Sequence, residues 1–236
     1  MTASTDRASP LSGWSARFST VSVASGNFSI REVAFATQIN LRVDAAAFGP
    51  KLRTVLGCDL PVTANTWNSG ADCAVLWLGP DEWLVVAPDG RNEALCADLH
   101  GALNDVHHSV VDLSANRTII EIAGTDARVV LAKGSPLDLH GSAFKPPQTA
   151  QTLLAKSQII LQCVDAHPVF RLFVRLSFAP YVAEWLLDAG HLPPSYIAAQ
   201  GSCMDRAGRV HIDRDDSGQV WVGGESVTCI SGKVTL

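Results

Sequence analysis

The stretch Val169-Phe170-Arg171-Leu172-Phe173-Val174-Arg175-Leu176-Ser177 runs without a break into Phe178-Ala179-Pro180-Tyr181-Val182-Ala183-Glu184-Trp185-Leu186-Leu187-Asp188-Ala189-Gly190. Its first part alternates. Phe170, Leu172, Val174 and Leu176 fall on one face and Arg171, Phe173 and Arg175 on the other, which is the two-residue period of a strand. Then the period changes. Tyr181/Val182, Trp185/Leu186 and Ala189 recur at helical spacing, Pro180 suits a first turn, and Gly190 stands just past the end. The pattern predicts a strand over Val169–Ser177 followed by a helix over Ala179–Ala189.

Upstream, the same succession occurs twice. Cys73–Leu78, the turn Gly79-Pro80-Asp81 and the strand Trp83–Ala87 lead to a helix over Asn92–Leu103 with Leu95, Leu99 and Leu103 on one face. Thr118–Ala123 passes through Gly124-Thr125-Asp126 into a helix ending at Lys133-Gly134. There Asp126 and Lys133 complement the helix dipole, and Gly134 reads as a left-handed stop. Thr149–Ala155 and Gln158–Val164 read as an antiparallel pair. Nearer the start, Phe18–Val23, Phe28–Val33 and Ala36–Val43 read as strands, Ala45–Leu56 as a helix closed by Gly57, and Leu60–Gly70 as loop. Helices alternate with strands, but extra hairpin strands intervene. The expected class is therefore α+β, built from split βαβ units, rather than a doubly wound parallel sheet.

The composition shifts after His191-Leu192-Pro193-Pro194. Residues 194–236 hold six of the chain's 18 glycines. Val210–Ile212, Val220–Val222 and Val227–Ile230 read as short strands joined at Ser217-Gly218 and Gly223-Gly224, a β-meander too small to fold alone. At the other end, Met1–Ser12 is Ser/Thr/Ala-rich and has no apolar run of a secretory signal. Three segments follow: a disordered leader over 1–18, a main domain over 19–193 and a β appendage over 194–236.

Of the 236 residues, 47% are hydrophobic and 17% charged, against about 25% charged in an average soluble domain. A net charge of −5 argues against a nucleic-acid partner, which needs a basic face. The longest apolar runs, such as Cys73–Leu78, fall far below the roughly 18 residues of a spanning helix, so no membrane segment is expected. Cys58, Cys73, Cys96, Cys163, Cys203 and Cys229 form no CxxC or zinc spacing and read as buried free thiols of a cytoplasmic protein.

The phosphate loops GxGxxG and GxxxxGK[ST] and the GxSxG elbow are absent. On a strand, His107 and His108 would point to opposite faces and could not share a metal. His140, His167 and His211 stand singly. No catalytic, cofactor-binding or metal-binding residue is assigned. Asp112, Asn116 and Arg117 admit two readings: a ligand or partner contact, or a turn whose Asp, Ser and Asn side chains satisfy their own backbone. The Arg171, Phe173 and Arg175 face is a second candidate partner surface, on the expectation that it is exposed.

Five blocks in register carry a resemblance. They are Leu76-Trp77-Leu78-Gly79-Pro80-Asp81-Glu82-Trp83-Leu84, Val110-Val111-Asp112-Leu113-Ser114-Ala115-Asn116-Arg117-Thr118, Leu131-Ala132-Lys133-Gly134-Ser135-Pro136-Leu137-Asp138-Leu139-His140, Ala150-Gln151-Thr152-Leu153-Leu154-Ala155, and Phe170–Ala189. Over roughly residues 20–190 the chain resembles the gamma subunit of heterotetrameric sarcosine oxidase. Thr149 departs from the cysteine expected before Ala-Gln-Thr. The resemblance implies the fold of the aminomethyltransferase folate-binding domain. It also implies a non-catalytic accessory subunit, docked mainly on an alpha subunit beside beta and delta. That complex oxidises sarcosine to glycine, passing the one-carbon unit to tetrahydrofolate and electrons to oxygen. FAD, FMN, NAD, tetrahydrofolate and zinc would belong to the other subunits and none to this chain.

The tail is similar to something else. Gln200-Gly201-Ser202-Cys203-Met204-Asp205-Arg206, Val220-Trp221-Val222-Gly223-Gly224-Glu225-Ser226-Val227-Thr228 and Gly232-Lys233-Val234-Thr235-Leu236 resemble the C-terminus of phenazine-biosynthesis PhzF-like isomerases. Nothing in the chain matches the region of that family's catalytic acid. Two other functions stay open: a stand-alone folate-binding or one-carbon transfer protein of the same fold, and the remnant of a PhzF-like isomerase fusion. The shortage of charge fits a docking surface, since interface cores are depleted in it.

Overall fold

Two five-stranded antiparallel sheets, packed face to face, position every side chain considered below. The computed structural model describes residues 7–190, 195–200, 208–214 and 220–224, in two units, Met1–Gly190 and His191–Leu236. The first unit runs α1 (Ser15–Ser25), β1 (Ser29–Val33), β2 (Thr37–Arg42), α2 (Ala45–Leu56), β3 (Trp67–Ser69), β4 (Ala74–Gly79), β5 (Glu82–Ala87) and α3 (Asn92–Leu103). It continues with β6 (Ser109–Asp112), β7 (Arg117–Ala123), α4 (Ala127–Ala132), β8 (Thr149–Leu154), β9 (Ser157–Asp165), β10 (Val169–Arg175) and α5 (Ala179–Gly190). The strand orders are β1-β7-β10-β9-β8 and β3-β4-β5-β2-β6.

The alternation in β10 separates two cores. Phe170, Leu172 and Val174 pack with Ile120 and Ile122 of β7, Phe18 and Val21 of α1, and Val182 and Leu186 of α5. Phe173 points the other way, into an interlayer core with Ile119, Ile160 and, from the second sheet, Leu76, Leu84 and Val86. The far face of that sheet carries Ile39, Leu41, Trp83 and Val85 against Leu52, Leu56, Leu95, Leu99 and Leu103 of α2 and α3. The layers are thus helices, sheet, sheet, helices. Helix α2 has the expected bounds. Asp44 accepts from the N–H groups of Ala46 and Ala47 at 3.0 and 3.2 Å, and Gly57, at φ 70°, donates its N–H to the Arg53 carbonyl, a left-handed stop suited to glycine.

Several expectations are corrected. Phe18–Val23 belongs to α1 and is not a strand. Ser19, Thr20 and Ser22 donate their hydroxyls to the carbonyls of Ser15, Ala16 and Phe18, so residues that favour extended backbone are absorbed into a helix. The leader expected over 1–18 gives way at least from Leu11, which is buried in the core; residues 1–6 lie outside the described residues. Within the expected loop Leu60–Gly70, β3 forms and pairs with β4. Strand β10 ends at Arg175, and Leu176–Phe178 forms a 3-10 turn. Gly134 is not one of the positive-φ glycines. A Cβ there would lie 2.5 Å from Cζ2 of Trp185, so its role is close packing of α4's end against α5.

The second unit is an antiparallel sheet of order β11-β12-β13, formed by β11 (Ser195–Gln200), β12 (Gly208–Arg214) and β13 (Val220–Gly224). Strand β11 is absent from the sequence reading. Gly223 and Gly224, read as a turn, pair with His211 and Val210 inside the sheet. The expected strand Val227–Ile230 and the turn Ser217-Gly218 lie outside the described residues. Of the cysteines, Cys163 is buried, Cys58, Cys73 and Cys96 are partly exposed, and all four are free; Cys203 and Cys229 lie outside the described residues. Among the described residues no helix is long and apolar enough to cross a membrane.

Candidate functional site

Strand β7 begins at Arg117 and the antiparallel β10 ends at Arg175, and the register makes these two residues Cα partners. Strand alternation puts Arg117 on the same face as Ile119, and Arg175 on the same face as Phe173. Both side chains therefore enter the margin of the interlayer core. They line a cavity of about 480 Å³ together with Gln151 and Leu153 of β8 and Gln158 and Ile160 of β9. Arg117 also borders a second cavity of about 440 Å³, whose wall includes Phe35, Asn92, Asp112 and Ser114.

The Arg117 Nη1 atom is buried and has no hydrogen-bond partner. Beside it, Gln38 donates its Nε2 to the Arg117 carbonyl at 2.9 Å, while Gln38 Oε1 is likewise buried and unpaired. Burial, and then the adjacent Arg175, hold the Arg117 guanidinium below the ordinary arginine value, against the pull of Glu82. Glu82 itself accepts a hydrogen bond from Asn40 Nδ2 at 2.8 Å.

Four of the six sequence candidates converge on this end of the sheet, and two do not. Asp112 and Asn116 form the turn that leads into β7. Asp112 Oδ1 accepts from the N–H and hydroxyl of Ser114 at 2.8 and 2.5 Å, and Oδ2 accepts from Asn92 at 2.8 Å. Burial opposes ionisation of Asp112, but the bonds from Ser114 and Asn92 outweigh it and hold the carboxyl below its usual range. Asn116 donates its N–H to Leu113 and accepts from Leu176 through its carbonyl. Within this turn Asp112 satisfies backbone at Ser114, while the Ser114 hydroxyl accepts from the Gln38 N–H of β2 at 3.0 Å.

The expectation of an exposed Arg171, Phe173 and Arg175 face is corrected. Phe173 is 1% exposed, because a second sheet covers the face that a lone strand would show to solvent. Arg171 is engaged by Glu121 at 2.9 Å, and Glu121 also binds Arg31. Only Arg175 is exposed. Sequence reasoning missed Gln38, Gln151 and Gln158. For Gln38 the signal is a polar residue at a fully buried strand position; Gln151 and Gln158 line the cavity from exposed positions and carry no such signal.

His108 is paired with His100, Nε2 to Nδ1 at 2.8 Å, an arrangement that spacing did not suggest. His107 and His108 precede β6 and line one groove. Among the described residues no group of three His, Cys, Asp or Glu side chains could hold a metal ion.

The family model described as the sarcosine oxidase, gamma subunit family matches residues 42–191. The chain belongs to the sarcosine oxidase gamma subunit family. Its gamma-subunit relatives include that of Corynebacterium sp. (strain P-1), 38% identical over 166 residues, which cover 70% of this chain and 80% of the relative. That of Arthrobacter sp. is 39% identical over 162 residues, 68% of this chain and 78% of the relative. Among solved structures, the heterotetrameric sarcosine oxidase of Corynebacterium sp. U-96 in complex with pyrrole 2-carboxylate contains a chain that matches with TM-score 0.70 and 34% identity. The match covers 78% of this chain and 94% of that one. The glycine cleavage system aminomethyltransferase T of Bartonella henselae matches with TM-score 0.54 and 17% identity over 68% of this chain and 45% of that one. That second likeness shows the shared fold, as the split βαβ pattern leads one to expect. The gamma-subunit family match ends at residue 191, where the second unit begins.

Proposed function

We propose that this chain is the accessory, non-catalytic gamma subunit of a heterotetrameric sarcosine oxidase. The complex oxidatively demethylates sarcosine to glycine, with the one-carbon unit passed to tetrahydrofolate and electrons to oxygen. The observation that carries this reading is the match to a chain of the Corynebacterium sp. U-96 heterotetramer over 94% of that chain's length. In the proposed assembly the chain docks mainly on the alpha subunit, beside beta and delta, in the cytoplasm. FAD, FMN, NAD, tetrahydrofolate and zinc reside on those other subunits, which agrees with a sequence that has no glycine-rich phosphate loop.

Exposed apolar side chains support a docking role. Val111, Val129, Phe178 and Tyr181 are each exposed by more than a third, on a chain short of charge. Asp112, Asn116, Arg117 and Arg175 remain the polar candidates for contact with a partner. Residues 194–236 are a separate β appendage of PhzF-like parentage in this reading, supported by the composition shift and by the end of the family match at residue 191.

Co-expression with an alpha subunit tests the proposal. A stable complex is expected, with the isolated chain colourless. A chain that remains free beside its alpha subunit overturns the reading, and calorimetric binding of tetrahydrofolate by the isolated chain favours the stand-alone alternative.

A further inference from the structure

At opposite ends of the same strands, arginines are treated in two different ways. Toward one end, Arg31, Glu121 and Arg171 are register neighbours on β1, β7 and β10, and the Glu121 carboxylate binds both arginines. Toward the other end, Arg117 faces Arg175 across β7 and β10, and neither forms an ion pair among the described residues. Like charges directly opposite on neighbouring strands repel. A buried guanidinium N–H without a partner, as at Arg117 Nη1, adds a desolvation cost. The chain's own solution at Glu121 shows what such a pair accommodates: a carboxylate between two arginines.

The geometry around the second pair is concave. Arg117 and Arg175 line a cavity of about 480 Å³, within the range of roughly 300–1,000 Å³ typical of small-molecule sites. Leu153 and Ile160 supply apolar wall, and Gln158 an amide. Guanidinium forks bind planar carboxylates in a bidentate manner that a point charge cannot reproduce. We propose that the Arg117–Arg175 cavity is a receptor for a carboxylate ligand, held between the two guanidinium groups as Glu121 is held between Arg31 and Arg171. Burial and the neighbouring Arg175 lower the Arg117 pKa despite the opposing charge of Glu82, and a further anion between the two guanidinium groups would act in the same direction as Glu82. The inference rests on this chain alone and not on its place in an oxidase.

The test is thermal unfolding and calorimetric titration of the full chain with malonate, against sodium chloride at equal ionic strength. A saturable malonate shift is expected, with affinity weakened about tenfold or more in Arg175→Gln. Arg175 is exposed, so this variant keeps the fold, and circular dichroism verifies that. Identical shifts from malonate and chloride overturn the proposal, as does undiminished malonate binding by Arg175→Gln. The same titration on the chain co-purified with its alpha subunit distinguishes two sources of the carboxylate. Retained binding assigns the cavity to a free small molecule. Binding lost only in the complex assigns it to an acidic side chain of the partner, and both outcomes support a carboxylate receptor.

Discussion

Glu121 and Arg171 are Cα partners on β7 and β10 and form an ion pair at 2.9 Å, with only 11% of the Glu121 side chain exposed. The same carboxylate holds Arg31 from β1, so one acid ties three neighbouring strands beside the interlayer core. Replacing Glu121 by Gln leaves Arg171 against the sheet without its counter-charge. The expected loss is about 1–3 kcal/mol of unfolding free energy, read from urea denaturation. An unchanged midpoint would show that solvent satisfies Arg171 equally well.

Two glycine substitutions separate backbone demand from helix propensity. Gly124 sits at φ 112°, and a Cβ there would overlap the Asn27 carbonyl. Gly124→Ala is therefore expected to destabilise by about 1–3 kcal/mol. Gly101 lies within α3 with nothing near its Cβ position, so Gly101→Ala should stabilise by roughly 0.5–1 kcal/mol. Thermal melts of the two variants should move in opposite directions.

Asp112 makes stability depend on pH in a known direction. Its carboxyl is held below the usual range despite burial, because Ser114 and Asn92 donate to it. The folded-state pKa is thus lower than the unfolded one. The contribution is present above the unfolded value, near pH 4 for an ordinary Asp, and is lost as pH falls through the folded value. The stability gap between wild type and Asp112→Asn should narrow as the solution is acidified below about pH 4. A gap that widens on acidification would contradict the assignment.

Cys73 should be a slow nucleophile. Burial, then the neighbouring Cys58 and Asp72, push its pKa up to about 11, against the opposing effect of Arg91. Its Sγ donates to the Leu56 carbonyl at 3.0 Å. At pH 8 little thiolate is present, so alkylation by iodoacetamide should lag well behind a free thiol. Peptide mass spectrometry over a time course checks this; labelling of native Cys73 at the rate of the denatured chain would refute it.

Much of the fold is legible locally. The change of period at β10 and α5 is visible in Phe170 to Leu186, and Asp44 and Gly57 bracket α2 where they stand in the sequence. Helix α1 is not legible in the same way, since Ser19, Thr20 and Ser22 favour extended backbone until their hydroxyls bond to the preceding turn. Phe173 reads as exposed from alternation, because one strand cannot reveal that a second sheet covers its other face. Arg117 and Arg175 were each conspicuous as charges beside apolar strands. Their juxtaposition depends on the β7–β10 register, a long-range pairing that neither segment encodes by itself. Gln38, buried on β2 and bonded to the Arg117 carbonyl, is hidden for the same reason.

This chain acts as a structural subunit of a larger oxidase. Co-expression with an alpha subunit, followed by size-exclusion chromatography with light scattering, tests that role most directly. The chain is expected to elute with the alpha subunit at a defined stoichiometry and to stay bound through dilution. Elution of the chain by itself, as a monomer separate from a folded alpha subunit, would contradict that role.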